Sequence, residues 1–277
     1  MAKVVPVIIV TYNKVHQFTL PCLASIARDG EFLSRVVVVD NASTDSTAEI
    51  VSRRYPDVHV IANSSNSGWA AGNIAGIEYV RDTFDFDYVC LLNSDTVVPR
   101  GWLLKLRAAL AANERAVSVV PTEQVEHSSW LKSFYNSYCA ESALATTLKR
   151  LPPFNRLTGR GLALPKESKP VMGESAAGNM VEVDRLDARL EKRYRGAVEE
   201  LDYLKTGYCV LLRRSFLDDF IGYLDDFEDL FPAKSVGYWK GLAATRGHVH
   251  LVAKGTYVYH YRGGSGGYFA KSPGGDP

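Results

Sequence analysis

Three polar clusters that could bind a ligand each follow an apolar, β-branched run of the chain. They are Thr11-Tyr12-Asn13, Asp40-Asn41 and Asn93-Ser94-Asp95. Together they supply carboxylate, amide and hydroxyl groups, which suit a polar ligand. Each cluster alone could be an ordinary turn, because Asn, Ser and Asp all favour turns. A shared site therefore requires a fold that brings the three clusters together.

The elements around these clusters alternate between strand and helix from residue 4 to residue 121. Strands are predicted at 4–10, 36–39, 58–62, 89–92 and 117–121, with helical spacing of apolar residues between them. Ser43 or Thr44 is expected to cap the helix at 46–55. The alternation predicts a parallel sheet covered by helices, with the apolar run Val89–Leu92 as a buried central strand. Open α/β folds bind ligands at the carboxyl edge of the sheet, so a shared site is predicted there.

The composition is that of a globular protein. Of the 277 residues, 46% are hydrophobic and 23% are charged, and the net charge of +1 gives no reason to expect nucleic acid as a partner. The length favours one large α/β domain. Four widely spaced cysteines without metal-site spacing predict reduced, buried thiols. No signal peptide or membrane-spanning run is evident, so a cytoplasmic protein is expected, with attachment at the inner face of the membrane left open.

The second half of the chain is less regular. Residues 183–200 are highly charged with apolar residues at spacings of four, which predicts a solvated amphipathic helix; a partner-binding arm is the alternative. A buried strand is expected after Gly207, a helix at 239–244, and short strands at 249–252 and 256–259. Exposed aromatic residues are expected to pack in the core or an interface, while contact with sugars, lipid or a second subunit is left open: Trp130, Phe134, Tyr135 and Tyr138.

Four motifs in order give the chain a family resemblance. They are Val7-Ile8-Ile9-Val10-Thr11-Tyr12-Asn13, Val39-Asp40-Asn41-Ala42-Ser43-Thr44-Asp45, Asn66-Ser67-Gly68-Trp69-Ala70-Ala71-Gly72-Asn73 and Leu91-Leu92-Asn93-Ser94-Asp95-Thr96. Together they resemble the family 2 glycosyltransferases, especially the rhamnosyltransferase-like branch that builds bacterial surface polysaccharides. The match is dense over residues 4–103 and resumes over 204–265, and the segment between is unmatched.

The resemblance implies an α/β fold of the GT-A type, with a Rossmann-like, mostly parallel sheet flanked by helices and a divergent helical and loop insertion. It divides a single domain, 1–277, into a nucleotide-sugar-binding half (1–121), the insertion (122–203), an acceptor and metal half (204–265) and a flexible tail (266–277). It also implies a metal-dependent inverting transfer from a nucleoside-diphosphate sugar, UDP- or dTDP-linked, to a glycan or glycolipid acceptor.

The resemblance also implies roles for residues. The segment from Thr11 to Asn13 would line the nucleotide, Asp40 would hydrogen-bond the base, and the loop from Asn66 to Asn73 would pack on nucleotide and sugar. Asp40 could instead be a helix-start or turn residue. Trp69, where the family usually carries phenylalanine, could stack on the ligand or lie in the core. The full donor-binding set is Thr11, Tyr12, Asn13, Asp40, Asn41, Ser43, Asn66, Gly68, Trp69, Asn73, Asn93, Ser94 and Asp95.

A divalent metal is part of the same resemblance. The last aspartate of the fourth motif holds it in the family, which here is Asp95, and a histidine placed like His260 often completes the site. A departing nucleotide diphosphate is at least a dianion, which Mn²⁺ or Mg²⁺ neutralises. Oxygen ligands suit both cations, and an imidazole suits Mn²⁺ better. A packed histidine at a strand end is the alternative for His260.

The sequence departs from the family at the catalytic base. Inverting transfer needs a carboxylate to take the proton of the acceptor hydroxyl. Counting back from Gly247, the family's Glu-Asp pair should fall near Ser235 and Val236, where no carboxylate stands. A cluster of four carboxylates at 225–229 could supply the base instead, or could be a solvated loop. Its candidates are Asp226, Glu228 and Asp229.

Other functions remain as alternatives. A catalytically weak nucleotide-sugar binding protein of a polysaccharide assembly complex is the second hypothesis, because the Glu-Asp pair is missing. A nucleotidyltransferase and a dinucleotide-binding oxidoreductase are disfavoured, because no glycine-rich phosphate loop follows the first strand. The expected partners are therefore a sugar donor and a glycan or glycolipid acceptor, with a homodimer left open.

Overall fold

A computed structural model describes residues 3–122, 176–228 and 248–260, without the side chains of residues 31–32, 176–179, 182 and 225–228. The strands are β1 (Val7–Thr11), β2 (Val36–Asp40), β3 (His59–Ala62), β4 (Tyr88–Asn93), β5 (Thr96–Val97), β6 (Ala116–Thr122), β7 (Val198–Leu201), β8 (Cys209–Arg213), β9 (Val249–Tyr257) and β10 (Tyr259–His260). The α-helices are α1 (Leu20–Ala27), α2 (Thr47–Arg54), α3 (Gly68–Thr83), α4 (Trp102–Ala111), α5 (Ala176–Tyr194) and α6 (Leu217–Glu228). Shorter π- and 3₁₀-helical turns lie at Val15–Thr19, Glu31–Arg35 and Arg214–Phe216.

Eight of the described strands form one sheet in the order β3-β2-β1-β4-β8-β6-β9-β7. The strands β3, β2, β1 and β4 are parallel, β8 is antiparallel to both its neighbours, and β6 and β9 are parallel. Strand β4 lies between β1 and β8, so the prediction of a central strand there is confirmed. The predicted α/β fold, with a mostly parallel sheet flanked by helices, is confirmed as well.

Helices cover both faces of this sheet because side chains alternate along each strand. In β1, Val7 and Ile9 pack in a core with Leu23 of α1. The intervening Ile8 points to the opposite face, where Ile77 of α3 packs. A strand buried on both faces needs apolar residues at every position, which explains the unbroken apolar runs of β1 and β2.

Helix α5 lays an apolar stripe on its own domain. Val183, Leu186 and Leu190, spaced three and four residues apart, pack with Val97 of β5 and Tyr259 of β10. The predicted amphipathic helix is therefore confirmed, and its apolar stripe contacts this chain itself. The small sheet that α5 covers is the antiparallel pair β5–β10, which places α5 beside the carboxyl end of β4.

Charged groups hold α5 in place. Asp187 is only 5% exposed, accepts a hydrogen bond from the backbone N–H of Tyr257 at 2.9 Å and pairs with Lys105 of α4. Burial raises the pKa of the Asp187 carboxyl, and the hydrogen bond from Lys105 opposes this shift. Arg28 Nη1 lies 2.7 Å from Asp184 Oδ2, which ties the same helix to the end of α1.

Predicted boundaries are wrong in two regions. The helix expected at 183–200 already begins at Ala176, and it ends at Tyr194 because Arg195 and Gly196 adopt left-handed φ values of 40° and 76°. The chain then forms the edge strand β7, which pairs with β9. The two short strands expected at 249–252 and 256–259 are one longer strand, β9, followed by β10.

Other predictions can be compared with the structure only where they fall on the described residues. Cys22, Cys90 and Cys209 are buried free thiols, as expected, and burial raises the pKa of Cys22 to about 12. Among the described helices, none is both long and apolar enough to cross a membrane. Several predicted features lie outside the described residues: Cys139, the four aromatic residues Trp130, Phe134, Tyr135 and Tyr138, most of the insertion, the helix at 239–244, and the tail 266–277.

A buried histidine that sequence reasoning missed predicts a pH dependence of stability. His250 of β9 is 3% exposed, and its Nδ1 lies 2.7 Å from Ser118 Oγ on β6. Burial, with a smaller contribution from His248, lowers the pKa of His250 from 6.5 to about 4. Between pH 6.5 and about 4, His250 is protonated in the unfolded chain but neutral in the folded chain. The free energy of unfolding is therefore highest above pH 6.5 and falls as the pH is lowered toward 4. The loss is expected to reach roughly 3 kcal/mol.

Urea unfolding across that pH range measures this effect. The variant His250→Leu is expected to lose most of the slope of unfolding free energy against pH. The control His16→Gln changes an exposed histidine and should keep the slope. A His250→Leu protein with the wild-type slope would show that other groups cause the acid sensitivity.

Candidate active site

The three polar clusters meet at the carboxyl edge of the sheet. Thr11 at the end of β1 pairs with Asp40 at the end of β2, and Val10 pairs with Asn93 at the end of β4. Neighbouring strands lie about 4.8 Å apart, so these side chains share one short stretch of the edge. The prediction that the fold places the clusters together is confirmed.

Asp40 is buried and held by the loop that follows it. Its Oδ1 accepts hydrogen bonds from the Ser43 backbone N–H, at 3.1 Å, and from the Ser43 hydroxyl. The same hydroxyl oxygen accepts the Asn13 backbone N–H at 2.7 Å. Among the described residues, no group donates to Asp40 Oδ2. Ser43 therefore positions the carboxylate, and Oδ2 stays available to accept a further hydrogen bond.

The loops after β1 and β2 are fastened to each other. Asn13 Oδ1 accepts the Thr44 backbone N–H at 2.7 Å, and the Val15 N–H donates to Asp45 Oδ2 at 3.1 Å. Asn13 and Lys14 both have left-handed φ angles, 56° and 58°. Such conformations cost about 1 kcal/mol or more for a residue with a side chain. The bonds between the loops stabilise this backbone, which gives the loop after β1 a fixed shape.

These bonds also explain why one predicted helix cap is wrong. Neither Ser43 nor Thr44 caps α2, because their side chains bind Asp40 and Asn13 instead. The helix starts after Ser46, which has a φ of 57° and makes no side-chain cap bond. The alternative role of Asp40 as a helix-start residue is wrong for the same reason. The other alternative, a turn residue, agrees with the structure, because the Asp40 carboxylate accepts hydrogen bonds from Ser43 within the loop.

Two asparagines of the predicted donor-binding set use their side-chain amides in hydrogen bonds within the protein. Asn41 Nδ2 donates to the Gly68 carbonyl at 2.7 Å, and its Oδ1 accepts from Asn63 Nδ2 at 2.8 Å. Asn73 Nδ2 donates to the Trp69 carbonyl at 2.7 Å. Both side chains are buried, so they shape the loop at the start of α3.

Asp95 is a fully buried carboxylate with 0% exposure. Neither of its oxygens accepts a hydrogen bond from the described residues. Burying a charged group without donors is costly, and buried polar atoms in proteins nearly always have partners. A hard divalent cation would satisfy these oxygens, so the residue fits the metal that the resemblance implies.

His260 joins Asp95 through the small sheet. The pairing of β10 with β5 sets His260 opposite Thr96, and its Nε2 lies 3.2 Å from Asp95 Oδ1. The distance lies within reach of an ion pair, but no hydrogen bond of acceptable geometry joins the two atoms. The Tyr208 ring stacks on the imidazole, with centroids 4.6 Å apart and planes 8° apart. The two predicted metal residues therefore lie side by side. The described residues contain no group of three or more His, Cys, Asp or Glu side chains that could hold a metal ion.

Trp69 makes a specific polar contact at the same edge. Its indole Nε1 donates to Asn93 Oδ1 at 3.0 Å, so it is not merely a core residue. Asn93 Nδ2 in turn lies 3.4 Å from His260 Nε2. Ser94, between Asn93 and Asp95, is buried. Thr11 is also buried and its hydroxyl bonds with Thr19 at 2.7 Å, while Tyr12 is half-buried and Asn66 exposed.

The acidic cluster is partly described. Asp226 and Glu228 belong to the last turn of α6, and Asp229 lies outside the described residues. Arg81 Nη2 near the end of α3 lies 2.6 Å from Asp218 Oδ1 in the first turn of α6. The helix therefore runs back along α3 for about 18 Å, toward the edge where α3 begins. The alternative of a loop is therefore wrong as far as residue 228, because these residues are helical.

Sequence reasoning missed residues that support the site. Asn63 holds Asn41, Asp45 holds the loop after β1, and Tyr208 stacks on His260. The only signal for Tyr208 was its position after Gly207, ahead of a predicted strand. Gly207 lies against Trp69, since a Cβ atom there would approach the indole to 3.3 Å.

A mostly parallel sheet with buried carboxylates at its carboxyl edge is typical of α/β proteins that bind ligands at that edge. The chain belongs to glycosyl transferase family 2, whose family model matches residues 7–166. The predicted family and its glycosyltransferase class are thereby confirmed, while the rhamnosyltransferase-like branch stays a prediction. The prediction that the segment after residue 103 is unmatched is therefore wrong as far as residue 166, and this match does not include residues 204–265. No curated protein matches the chain significantly.

Solved structures give weaker likenesses. A mannosyltransferase from Pyrobaculum calidifontis in complex with GDP-Man and Mn²⁺ is 18% identical, with a TM-score of 0.42, and the match covers 79% of this chain and 47% of that one. Glucosyl-3-phosphoglycerate synthase from Mycobacterium tuberculosis, with Mg²⁺ and UDP, is 17% identical, with a TM-score of 0.36 and coverages of 58% and 54%. The chain thus spans about half the length of these structures. Likenesses this weak do not identify a ligand of this chain.

Proposed function

We propose that this chain is a metal-dependent inverting glycosyltransferase that uses a UDP- or dTDP-linked sugar. The proposal is carried by Asp95, a buried carboxylate that accepts no hydrogen bond from the described residues and faces His260. It lies on the same sheet edge as Asp40, whose Oδ2 is left for a ligand. Membership of glycosyl transferase family 2 supports this assignment.

Asp40 would recognise the nucleotide base. Because Ser43 occupies Oδ1, the remaining acceptor at Oδ2 calls for a ligand group that donates. Uracil and thymine present an imide N–H at N3, whereas cytosine presents a lone pair there. A carboxylate facing that lone pair would be repelled, so the site would favour uridine and thymidine diphosphates over cytidine diphosphate.

Calorimetric titration with UDP, dTDP and CDP in the presence of Mn²⁺ tests this proposal. We expect UDP or dTDP to bind about tenfold or more tightly than CDP, since a lost hydrogen bond to a charged group costs at least about 1.5 kcal/mol. In the variant Asp40→Asn the preference should shrink. Equal affinity for the three nucleotides, or none, would contradict the assignment of Asp40.

Asp95 and His260 would hold Mn²⁺ or Mg²⁺ at the site. When bound, the cation neutralises the charge of the departing diphosphate. Asp95 supplies a hard oxygen ligand, and His260 supplies an imidazole nitrogen that suits Mn²⁺. A site with two protein ligands leaves coordination positions for diphosphate oxygens.

The acidic cluster would act on the acceptor side. The acceptor oxygen forms a bond to the anomeric carbon while the bond from that carbon to the diphosphate breaks, and the hydroxyl proton passes to a carboxylate. Asp226, Glu228 and Asp229 are the candidates for this base. The direction of α6, toward the edge that carries Asp40 and Asp95, supports their placement there.

A catalytically weak nucleotide-sugar binding protein is the second candidate, because the family's Glu-Asp pair is missing near Ser235. Release of free sugar from a UDP- or dTDP-sugar in the presence of Mn²⁺ separates the two. Turnover that falls in Asp226→Asn or Glu228→Gln supports the enzyme. Tight nucleotide binding without turnover would favour the binding protein.

The acceptor side of the proposal rests on the family resemblance. A glycan or glycolipid acceptor in surface polysaccharide synthesis fits the rhamnosyltransferase-like motifs. A cytoplasmic protein working at the inner face of the membrane, alone or as a homodimer, would fit such an acceptor.

A further inference from the structure

A short series of contacts links the start of α3 to His260. Trp69 Nε1 donates to Asn93 Oδ1 at 3.0 Å, and Asn93 Nδ2 lies 3.4 Å from His260 Nε2. Trp69 opens α3, Asn93 ends β4 and His260 ends β10, so three separate elements converge on one amide. Asn93 and His260 are 167 residues apart in the chain.

The chemistry of the indole fixes the orientation of the amide. An indole N–H can only donate, so Asn93 turns its carbonyl oxygen to Trp69. The amide then presents its NH₂ group to His260. An NH₂ group is also only a donor, so its favourable partner is an Nε2 atom that carries a lone pair. In a neutral imidazole this places the proton on Nδ1.

Asp95 would by itself favour the opposite arrangement, with a proton on Nε2. Its Oδ1 is 3.2 Å from Nε2, yet the geometry forms no hydrogen bond. The stacked Tyr208 ring, with its plane 8° from that of the imidazole, limits rotation of His260 toward Asp95. Asn93 is therefore the hydrogen-bond partner of Nε2 in this geometry.

We propose that Trp69 is a positioning residue that acts through Asn93 to hold His260 in the tautomer with an unprotonated Nε2. The lone pair of Nε2 then lies beside the Asp95 carboxylate, where a cation that displaces the Asn93 N–H could bind both Nε2 and the carboxylate. A phenylalanine at this position has no N–H and could not orient the amide. The consequence for metal binding rests on the proposed function, whereas the tautomer itself does not.

Nitrogen-15 NMR of the histidine rings in metal-free protein tests the tautomer directly. At a pH where the ring is neutral, we expect wild-type His260 to carry its proton on Nδ1. In Trp69→Phe, which keeps an aromatic ring but removes the N–H, a mixture with the Nε2–H form should appear. His59 is an internal control, because its Nδ1 bonds with Tyr79 and not with Trp69 or Asn93. Its tautomer should be the same in the wild type and in Trp69→Phe.

Calorimetric titration of Mn²⁺ in the presence of UDP measures the consequence. Mn²⁺ can bind only the form of His260 with an unprotonated Nε2, so its affinity for Trp69→Phe is expected to fall in proportion to the fraction of protein in the Nε2–H form, by about tenfold when nine tenths of the protein takes that form. Asn93→Ala should weaken it similarly, and the double variant should be no weaker than Asn93→Ala alone. Such non-additivity is expected of residues acting in series, whereas independent packing effects would add.

Each outcome decides one question. A wild-type His260 in the Nε2–H form, or a tautomer unchanged in Trp69→Phe, overturns the positioning role. Additive losses in the double variant would also overturn it. If wild-type protein binds no Mn²⁺, the proposed metal site fails, and the NMR measurement still tests the tautomer alone.

Discussion

Asp95→Asn is expected to abolish metal-dependent nucleotide binding while raising the stability of the metal-free protein. The carboxylate is fully buried and accepts no hydrogen bond from the described residues. Removing its charge removes a desolvation cost, which we expect to raise the free energy of unfolding by about 1–2 kcal/mol. Loss of the charge should also weaken Mn²⁺-dependent UDP or dTDP binding on the order of 100-fold or more. Residues that only orient a metal ligand contribute roughly 10–100-fold to metal affinity, and a residue that binds the metal directly should contribute at least as much.

Urea unfolding in mildly alkaline buffer with a chelator measures the stability, and calorimetry measures binding. Asp57→Asn is a suitable control, because Asp57 is an exposed aspartate in the turn before β3 and should change neither quantity. A less stable Asp95→Asn protein with unchanged nucleotide binding would show that Asp95 has a structural role. Opposite changes in stability and binding are typical of residues kept for function.

Gly76→Ala is expected to destabilise the protein by about 2–3 kcal/mol. Helix α3 approaches the sheet so closely that a Cβ atom at Gly76 would overlap Ile8 Cγ2 and lie 3.3 Å from Val39 Cγ2. Ile8 is β-branched and fully buried, so its methyl group has little freedom to move. The helix must therefore shift away from β1 and β2, which would also displace Trp69 at its start.

Gly222→Ala is the matched control for this prediction. Gly222 lies in α6, where no atom of the described residues would come within 4 Å of an added Cβ, so alanine there should stabilise the helix by about 0.5–1 kcal/mol. In an Ile8→Ala background, which removes the overlapping methyl group, the additional cost of Gly76→Ala should largely disappear. A neutral effect of Gly76→Ala in the wild-type background would contradict the close approach of α3 to the sheet.

The common edge of the three polar clusters could be predicted from the sequence, because it follows from local patterns. Each apolar run ends in a polar cluster, and parallel strands must place their carboxyl ends on the same side. The neighbourhood of Thr11, Asp40 and Asn93 followed from these two facts. The amphipathic pattern of α5 was equally visible, since its period belongs to one helix. Its end at Tyr194 was not, because the turn at Arg195 and Gly196 serves the pairing of β7 with β9.

The roles within the donor-binding set required the tertiary structure. The sequence could not tell a side chain that meets a ligand from one that holds its neighbour. Ser43 and Asn41 stand in the same motif as Asp40, yet their polar groups are used by Asp40, Asn13, Gly68 and Asn63. Hydrogen bonds between separate loops depend on distances that no local pattern encodes.

By itself the sequence determined the alternating α/β fold, the common edge of three polar strand ends, and the family to which these motifs belong. Only the tertiary structure decided that His260 lies 3.2 Å from Asp95, that Trp69 holds Asn93, and that α6 runs toward the same edge. The physical reason is the range of the interactions. Strand and helix periodicity is set by neighbouring residues, whereas the contacts of His260 depend on the pairing of β10 with β5 across most of the chain.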